Sequence, residues 1–298
     1  MTERIDAHHH LWRYSKEDYG WIGPEMEKIA RDFLASNAEN ELRGGGFGGS
    51  IVVQAQQTVT ETEWLLGVAE KSQIIRGVVG WAPIAGGELG AILEKWSGRK
   101  KLKGLRHIIQ AEADDQFILR EDFNAGIAQL QGTGLVYDIL IYEKHLPAAT
   151  HFVDHHPNQI FVLDHVAKPR IKDSVTEPWR RNIFELAKRT NVYCKLSGMV
   201  TEADWTAWSP ADLRPYQEAV LEAFGPARIM FGSDWPVCLL ASSYRQWVQT
   251  VEEFLQELSA AERDLIFGGV AARVYSLENA TLPVAEKRTG DGIATSSS

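Results

Sequence analysis

The chain has little cysteine, no surplus of positive charge and no long apolar run. Two cysteines in 298 residues are too few for a disulfide framework, although one bridge could form. Lys and Arg number 31 against 40 Asp and Glu, a net charge of −9. That balance argues against a nucleic-acid or anionic-membrane surface and leaves a neutral substrate open. No stretch approaches the roughly 18 apolar residues of a spanning helix. The opening MTERIDAHHHLW has no basic leader before an apolar segment, so a cytoplasmic protein is expected. No Asn-Gly or Asp-Gly pair joins two strand-like runs, which removes tight hairpins. The glycine run GGGFGG at 44–49 lacks the GK[ST] ending of a phosphate loop and precedes a strand-like run.

What is present is a recurring unit. Short Val- and Ile-rich runs occur at 4–11, 49–54, 74–83, 102–109, 135–141, 160–168, 192–198 and 228–236. They lack clean polar alternation, as strands covered on both faces do. Helical patterns lie between them at 60–72, 87–98, 122–132, 179–190, 212–225 and 244–258. Strands alternating with helices predict an α/β fold, a (β/α)8 TIM barrel. A doubly wound sheet would need a glycine fingerprint after its first strand, and DAHHHLW has none. One barrel domain is expected over 1–285, with a disordered tail at 286–298. The long 12–48 segment, holding Trp12, Tyr14, Tyr19 and Trp21, is expected to cap one mouth or to form a mobile loop.

Polar residues fall near the C-terminal ends of these strands, where a barrel gathers its active site. His8 and His10 are two apart on a strand and face one side, with His9 facing away, so the pair presents two imidazoles to one cation. Asp234, in an apolar run before Trp235 and Pro236, needs a metal or an arginine as partner. His165 interrupts FVLDHVAKP and is either a third nitrogen ligand or a core histidine bonded to a carbonyl. Asp164, of opposite parity, is expected to face the helices. Of Arg106 and His107, one points fully inward, and their donors could hold a carbonyl or carboxylate. For Arg106 a helix-side salt bridge is the alternative. Asp138 reaches the pocket floor or pairs with a buried lysine. His145, His151, His155 and His156 are expected at the surface, and Cys194 and Cys238 read as structural. Tryptophans near strand ends, among the ten present, could wall an apolar or sugar-like ring. Three histidines and a carboxylate suit one divalent ion, Zn2+ by ligand type, with Mn2+ as an alternative. Such a site activates water or polarises a carbonyl, pointing to hydrolysis of an ester, amide or lactone.

The ordered set DAHHHLW, LDHVAKP, CKLSG and FGSDWPV resembles the amidohydrolase superfamily. The strings GLRH, YGWIGPEM, KLSGMVTEADW and FGSDWPVCLLASSY are similar to its sugar-lactone hydrolase branch. The resemblance covers about residues 4 to 276 and implies a distorted (β/α)8 barrel of the metal-dependent-hydrolase type. It implies metal ligands at His8, His10, His165 and Asp234, with Asp234 also acting as general base and then acid. His107 would hold the lactone carbonyl with Arg106 beside it, and Trp21, Trp81, Tyr142 and Trp235 would form the sugar pocket. Gln54, Asp138, Tyr142 and Glu143 are candidate partners for substrate hydroxyls. Strands four and five lack the bridging lysine and the histidine of binuclear members, so at most one ion is implied. Some lactonases of this branch work without metal. The expected reaction is water attack on L-fucono-1,5-lactone or a related aldonolactone. The alternatives are a metal-dependent decarboxylase or amide hydrolase on the same barrel, or an inactive ligand-binding barrel.

Overall fold

Eight runs of β-branched and other apolar residues form eight strands in a computed structural model of the protein. They are β1 (Ile5–His9), β2 (Gly49–Val53), β3 (Ile75–Gly80), β4 (Leu102–Ile108), β5 (Val136–Leu140), β6 (Phe161–Leu163), β7 (Val192–Leu196) and β8 (Ile229–Phe231). The structure describes residues 2–277; the expected tail at 286–298 lies outside them. The strands form one sheet in the order β1 to β8, every neighbouring pair parallel. The ends of β8 and β1 meet without a ladder. There Asp234 N donates to His8 O at 2.8 Å and His10 N donates to Trp235 O at 2.6 Å. This is the expected distorted barrel, nearly closed, with its seam beside the His-x-His pair.

Helices α1 (Ala35–Gly44), α2 (Val59–Lys71), α3 (Leu89–Trp96), α4 (Glu121–Ala128), α5 (Leu146–His155), α6 (Trp179–Ala187), α7 (Met199–Glu202), α8 (Pro210–Phe224) and α9 (Tyr244–Phe254) lie between or after the strands. Two apolar cores result. The larger packs the outer faces of the strands against the helices. The smaller fills the barrel with Ile5, Ile51, Val53, Val79, Val136, Val162 and Met230, closed below by Val270, Ala271 and Tyr275. These two cores assign strand parity. Residues in register with Val136 and Val162 face the barrel axis, and those in register with Leu105 and Ile139 face the helices.

The 12–48 segment folds back on itself. Trp12 and Phe33 exchange backbone hydrogen bonds at 2.9 Å, and the Phe33 ring meets Trp235 edge-on at 5.1 Å. Among the glycines that follow α1, Gly46 takes φ +80, and Phe47 packs on Phe231 as the chain enters β2. The segment thus acts as a packed cap beside the β8–β1 seam. Among the described residues, no helix is long and apolar enough to cross a membrane.

Candidate active site

A strict two-residue alternation would turn His8 away from the barrel axis, since Ile5 and Ala7 already belong to the inner core. The β1–β2 register slips between Asp6 and His9, and this bulge re-aims the chain. Asp6 holds the seam from outside. Its Oδ1 accepts from Ser233 N at 2.9 Å and from His8 N at 3.1 Å, and its Oδ2 accepts from the Tyr244 hydroxyl at 3.2 Å. Gly232 is needed here because a Cβ would lie 2.7 Å from that of His8. His8 and His10 therefore both point to the mouth, while His9 bonds Ser50 outside at 3.0 Å.

Three imidazole Nε2 atoms converge on one oxygen. Asp234 Oδ1 lies 3.8 Å from His8, 3.3 Å from His10 and 3.8 Å from His165. Each ring is held through its other nitrogen. His10 Nδ1 donates to Val53 O at 2.9 Å, His8 Nδ1 faces Asp164 Oδ1 at 3.3 Å, and His165 Nδ1 meets Ser197 Oγ at 2.9 Å. Partners of this kind fix the tautomer and leave Nε2 a lone pair. The His8 and His10 lone pairs stand only 3.2 Å apart. Burial would raise the Asp234 carboxyl, but His165, His10 and His8 hold it well below the usual range. Burial lowers His8, and lowers His165 to about 4 against the pull of Asp234. His8 and His165 held neutral beside an ionised Asp234 are the protonation states a cation needs.

His8, His10 and Asp234 place one donor atom each within 4.8 Å of one another, so this buried set fits one divalent ion. His165 falls in a second group, with His8 and Asp164. That group is already neutralised. Asp164 Oδ2 accepts from Arg106 Nη1 at 2.9 Å and its Oδ1 lies 3.0 Å from Lys195 Nζ. Burial opposes ionisation of Asp164, yet Lys195, His8 and Arg106 keep its carboxyl well below the ordinary value. Arg106 Nη1 also lies 3.4 Å from His8 Nε2, bordering the site from the barrel interior.

Several expectations change. Asp164 faces the barrel, not the helices, because it continues the inward parity of Val162. His165 reaches the same mouth only because the chain leaves β6 with φ +52. Arg106 is the inward member of its pair, but it is no free substrate donor. It is buried and held by Asp164 and by the carbonyl of Gln54. Asp138 takes the second of its two expected places, paired with a buried lysine: it is fully buried and occupied by Lys195 and by the Tyr275 hydroxyl at 2.8 Å. It therefore cannot meet substrate, and burial raises it to about 6 against the opposing charge of Lys195. His107 points to the helix side and does not join the cluster. Its Nδ1 accepts from Trp81 Nε1 at 3.2 Å, its Nε2 bonds Glu112 at 2.6 Å, and it stacks on Phe117 at 5.0 Å. Burial lowers His107 against the pull of Glu112.

The remaining candidates ring the mouth. Trp235 is buried against Phe33 with its indole N–H unbonded among the described residues, as is Gln54 Oε1. Trp21 is exposed and meets Trp12 edge-on at 5.9 Å. Tyr142 is exposed, and burial raises the neighbouring Glu143 carboxyl. His145 and His156 are buried, contrary to expectation, and bond Asp115 and Asn124. Lys195 and Ser197, polar residues expected at the end of the seventh strand, support the site, and Asp6 and Asp164 do so unforeseen. Their signal in the sequence is a polar residue inside an apolar strand run.

Residues 5–277 match the amidohydrolase family. An L-fucono-1,5-lactonase of Burkholderia multivorans is 44% identical, the alignment covering 92% of this chain and 96% of the relative. An L-fucono-1,5-lactonase of Burkholderia ambifaria is 35% identical, covering 93% and 97%. A solved structure of a Burkholderia multivorans amidohydrolase with bound zinc is 43% identical with a TM-score of 0.90, covering 92% of this chain and 99% of that one. With its eight parallel strands and seam-side His-x-His and aspartate, the chain belongs to the amidohydrolase family.

Proposed function

We propose that the protein opens a sugar lactone, L-fucono-1,5-lactone or a related aldonolactone, to the aldonic acid. The observation that carries this reading is the buried Asp234 carboxylate with three imidazole Nε2 atoms within 3.8 Å of one of its oxygens at a barrel mouth. The two Burkholderia lactonases support the substrate class, and the zinc-bound relative supports Zn2+ as the ion. His8, His10 and Asp234 would hold it, with His165 beside them. When bound there, a divalent ion supplies Lewis-acid polarisation and a more acidic water.

The chain's own residues then have defined tasks. Asp234 accepts a proton from the attacking water and passes it to the departing ring oxygen. Asp164, Val53 O and Ser197 keep the three rings in register. The aromatic cap, Trp12, Phe33 and Trp235, excludes bulk water from one side. Ring opening needs no covalent enzyme intermediate.

The test is a pH-indicator assay over fucono-, galactono-, arabinono- and rhamnono-lactones, with metal content measured after dialysis. Acid release from at least one lactone, lost by about 10²–10⁴ in kcat in a folded Asp234→Asn variant, is the expected result. Release from none, or near-native turnover by that variant, overturns the reading. Release by metal-free protein would keep the lactonase and remove the ion from the reaction.

A further inference from the structure

The chain leaves β6 through four consecutive non-glycine residues in the left-handed region: His165 (φ 52), Val166 (φ 49), Ala167 (φ 60) and Lys168 (φ 48). Each costs on the order of 1–2 kcal/mol in an L-residue, and a β-branched valine is the least suited. The turn is held by Lys168 N donating to His165 O at 2.8 Å and Trp179 Nε1 donating to Val166 O at 2.8 Å. Strain of this kind persists where the surroundings over-determine it, and it clusters at sites that work. Its first residue is placed beside Asp234. Its last, Lys168, has no part in that arrangement.

The Lys168 ammonium lies 3.5 Å from Glu202 Oε1 at the end of α7 and 5.7 Å from the centre of the Tyr142 ring. The loops after β5, β6 and β7 thus bring a phenol, an ammonium and a carboxylate together. The Lys168 and Glu202 side chains are 18% and 22% exposed, open enough for a small ligand to reach. The backbone ties Lys168 to the site, its N–H donating to the His165 carbonyl. Burial raises the Glu202 carboxyl, Lys168 opposes this and Asp234 adds to it; the charge of Lys168 is felt at His165. A charge-assisted N–H···O bond closes to about 2.7–2.9 Å. At 3.5 Å the pair keeps ammonium donors and carboxylate lone pairs to share.

We propose that Lys168 and Glu202 form a clamp for two neighbouring hydroxyls of the lactone ring, with Tyr142 as its wall. One hydroxyl accepts from the Lys168 ammonium and the other donates to the Glu202 carboxylate, a hydroxyl being able to take either role. The clamp rests on the lactonase reading and deepens it. It makes the loops after β6 and β7 the part that tells a polyhydroxylated lactone from a plain one. A site built to bond hydroxyls discriminates against an analogue lacking them by leaving its own polar groups unpaired.

The experiment compares wild type with Lys168→Met and Glu202→Gln. The measured quantity is the ratio of kcat/KM for L-fucono-1,5-lactone to that for δ-valerolactone, which has the same ring and no hydroxyls. The expected result is a fall in that ratio by about tenfold or more in each variant, one hydrogen bond to a charged group being worth about 1.5–3 kcal/mol. Equal losses on both lactones would mark a merely structural ion pair and overturn the clamp, as would an unchanged ratio. A second arm titrates 1,5-anhydro-L-fucitol, which has the ring and its hydroxyls but no carbonyl. Binding to wild type that weakens in both variants supports the clamp even where no lactone is turned over. Failure of the function thereby stays distinct from failure of the clamp. Equal binding by all three proteins overturns the clamp whatever the lactone assay gives.

Discussion

Asp164 shows how one side chain ties the barrel interior to the site. Its carboxylate faces Arg106, Lys195 and His8 together, so it pairs with two buried cations and helps orient the His8 ring. Asp138 shares Lys195 but has no contact with His8. The two aspartates can therefore be separated. Asp164→Asn and Asp138→Asn should each destabilise the fold by about 3–5 kcal/mol, because a buried cation loses its partner. Only Asp164→Asn should also weaken metal affinity, by about 10–100-fold, through the ring it no longer orients. Chelator competition for Zn2+ on folded variants checks this, and equal affinities would remove the orienting role. Neither consequence can be read from the string LDHVAKP, where Asp164 and His165 compete for one inward direction. Regular parity chooses one of them. The left-handed turn admits both.

At the level of elements the strands are legible because a parallel barrel covers both faces, leaving Val- and Ile-rich runs with little alternation. All eight strand-like runs contain a strand, and the nearness of His8, His10 and Asp234 to strand ends follows from their positions, whereas the choice of Arg106 over His107 as the inward residue does not. Three things are not legible. The β1 bulge, rather than simple alternation, delivers His8 and His10. β6 ends at Leu163, earlier than its apolar run, because the next residues adopt positive φ without any glycine to announce it. His107 lies on the outer parity of β4 and is satisfied by Trp81 and Glu112. The turn after β6 also depends on Gly198, whose own φ is +63 and whose Cβ would lie 2.5 Å from His165 Nδ1. Gly198→Ala should therefore lose stability by about 1–3 kcal/mol from backbone strain and also displace His165, cutting turnover. Gly132→Ala, at φ +80 with nothing within 4 Å of its Cβ, should carry strain alone. Thermal melts and lactone kinetics on both variants separate the terms. Equal activity of the two would mean that His165 tolerates the intrusion.

Across the whole molecule, stability must change with pH because many titratable groups are buried, and their signs oppose. His9 is lowered to about 3 by burial, so it favours the fold increasingly as pH rises from about 3 to 6.5. Glu61 acts the other way. It sits in the first turn of α2, where its Oε2 accepts from Ala55 N at 3.0 Å and Gln56 N at 2.7 Å, pinning the loop after β2. Burial raises its carboxyl to about 7, outweighing those two bonds and the charge of Arg106, which is already paired with Asp164. The folded protein therefore holds this proton while the unfolded chain, near the usual 4.5, has lost it. The stabilisation is complete below about pH 4.5 and is lost as pH rises to about 7. Glu61→Gln keeps an oxygen for the two backbone N–H groups and removes the titration. Its stability relative to wild type should rise between pH 4.5 and 7 by on the order of 2–3 kcal/mol and then level off. Urea unfolding of both proteins at half-unit steps from pH 4 to 8 reads this difference directly. A difference that is flat across the window, or that falls with pH, would show that Glu61 is ionised in the folded barrel and that its two backbone bonds outweigh its burial.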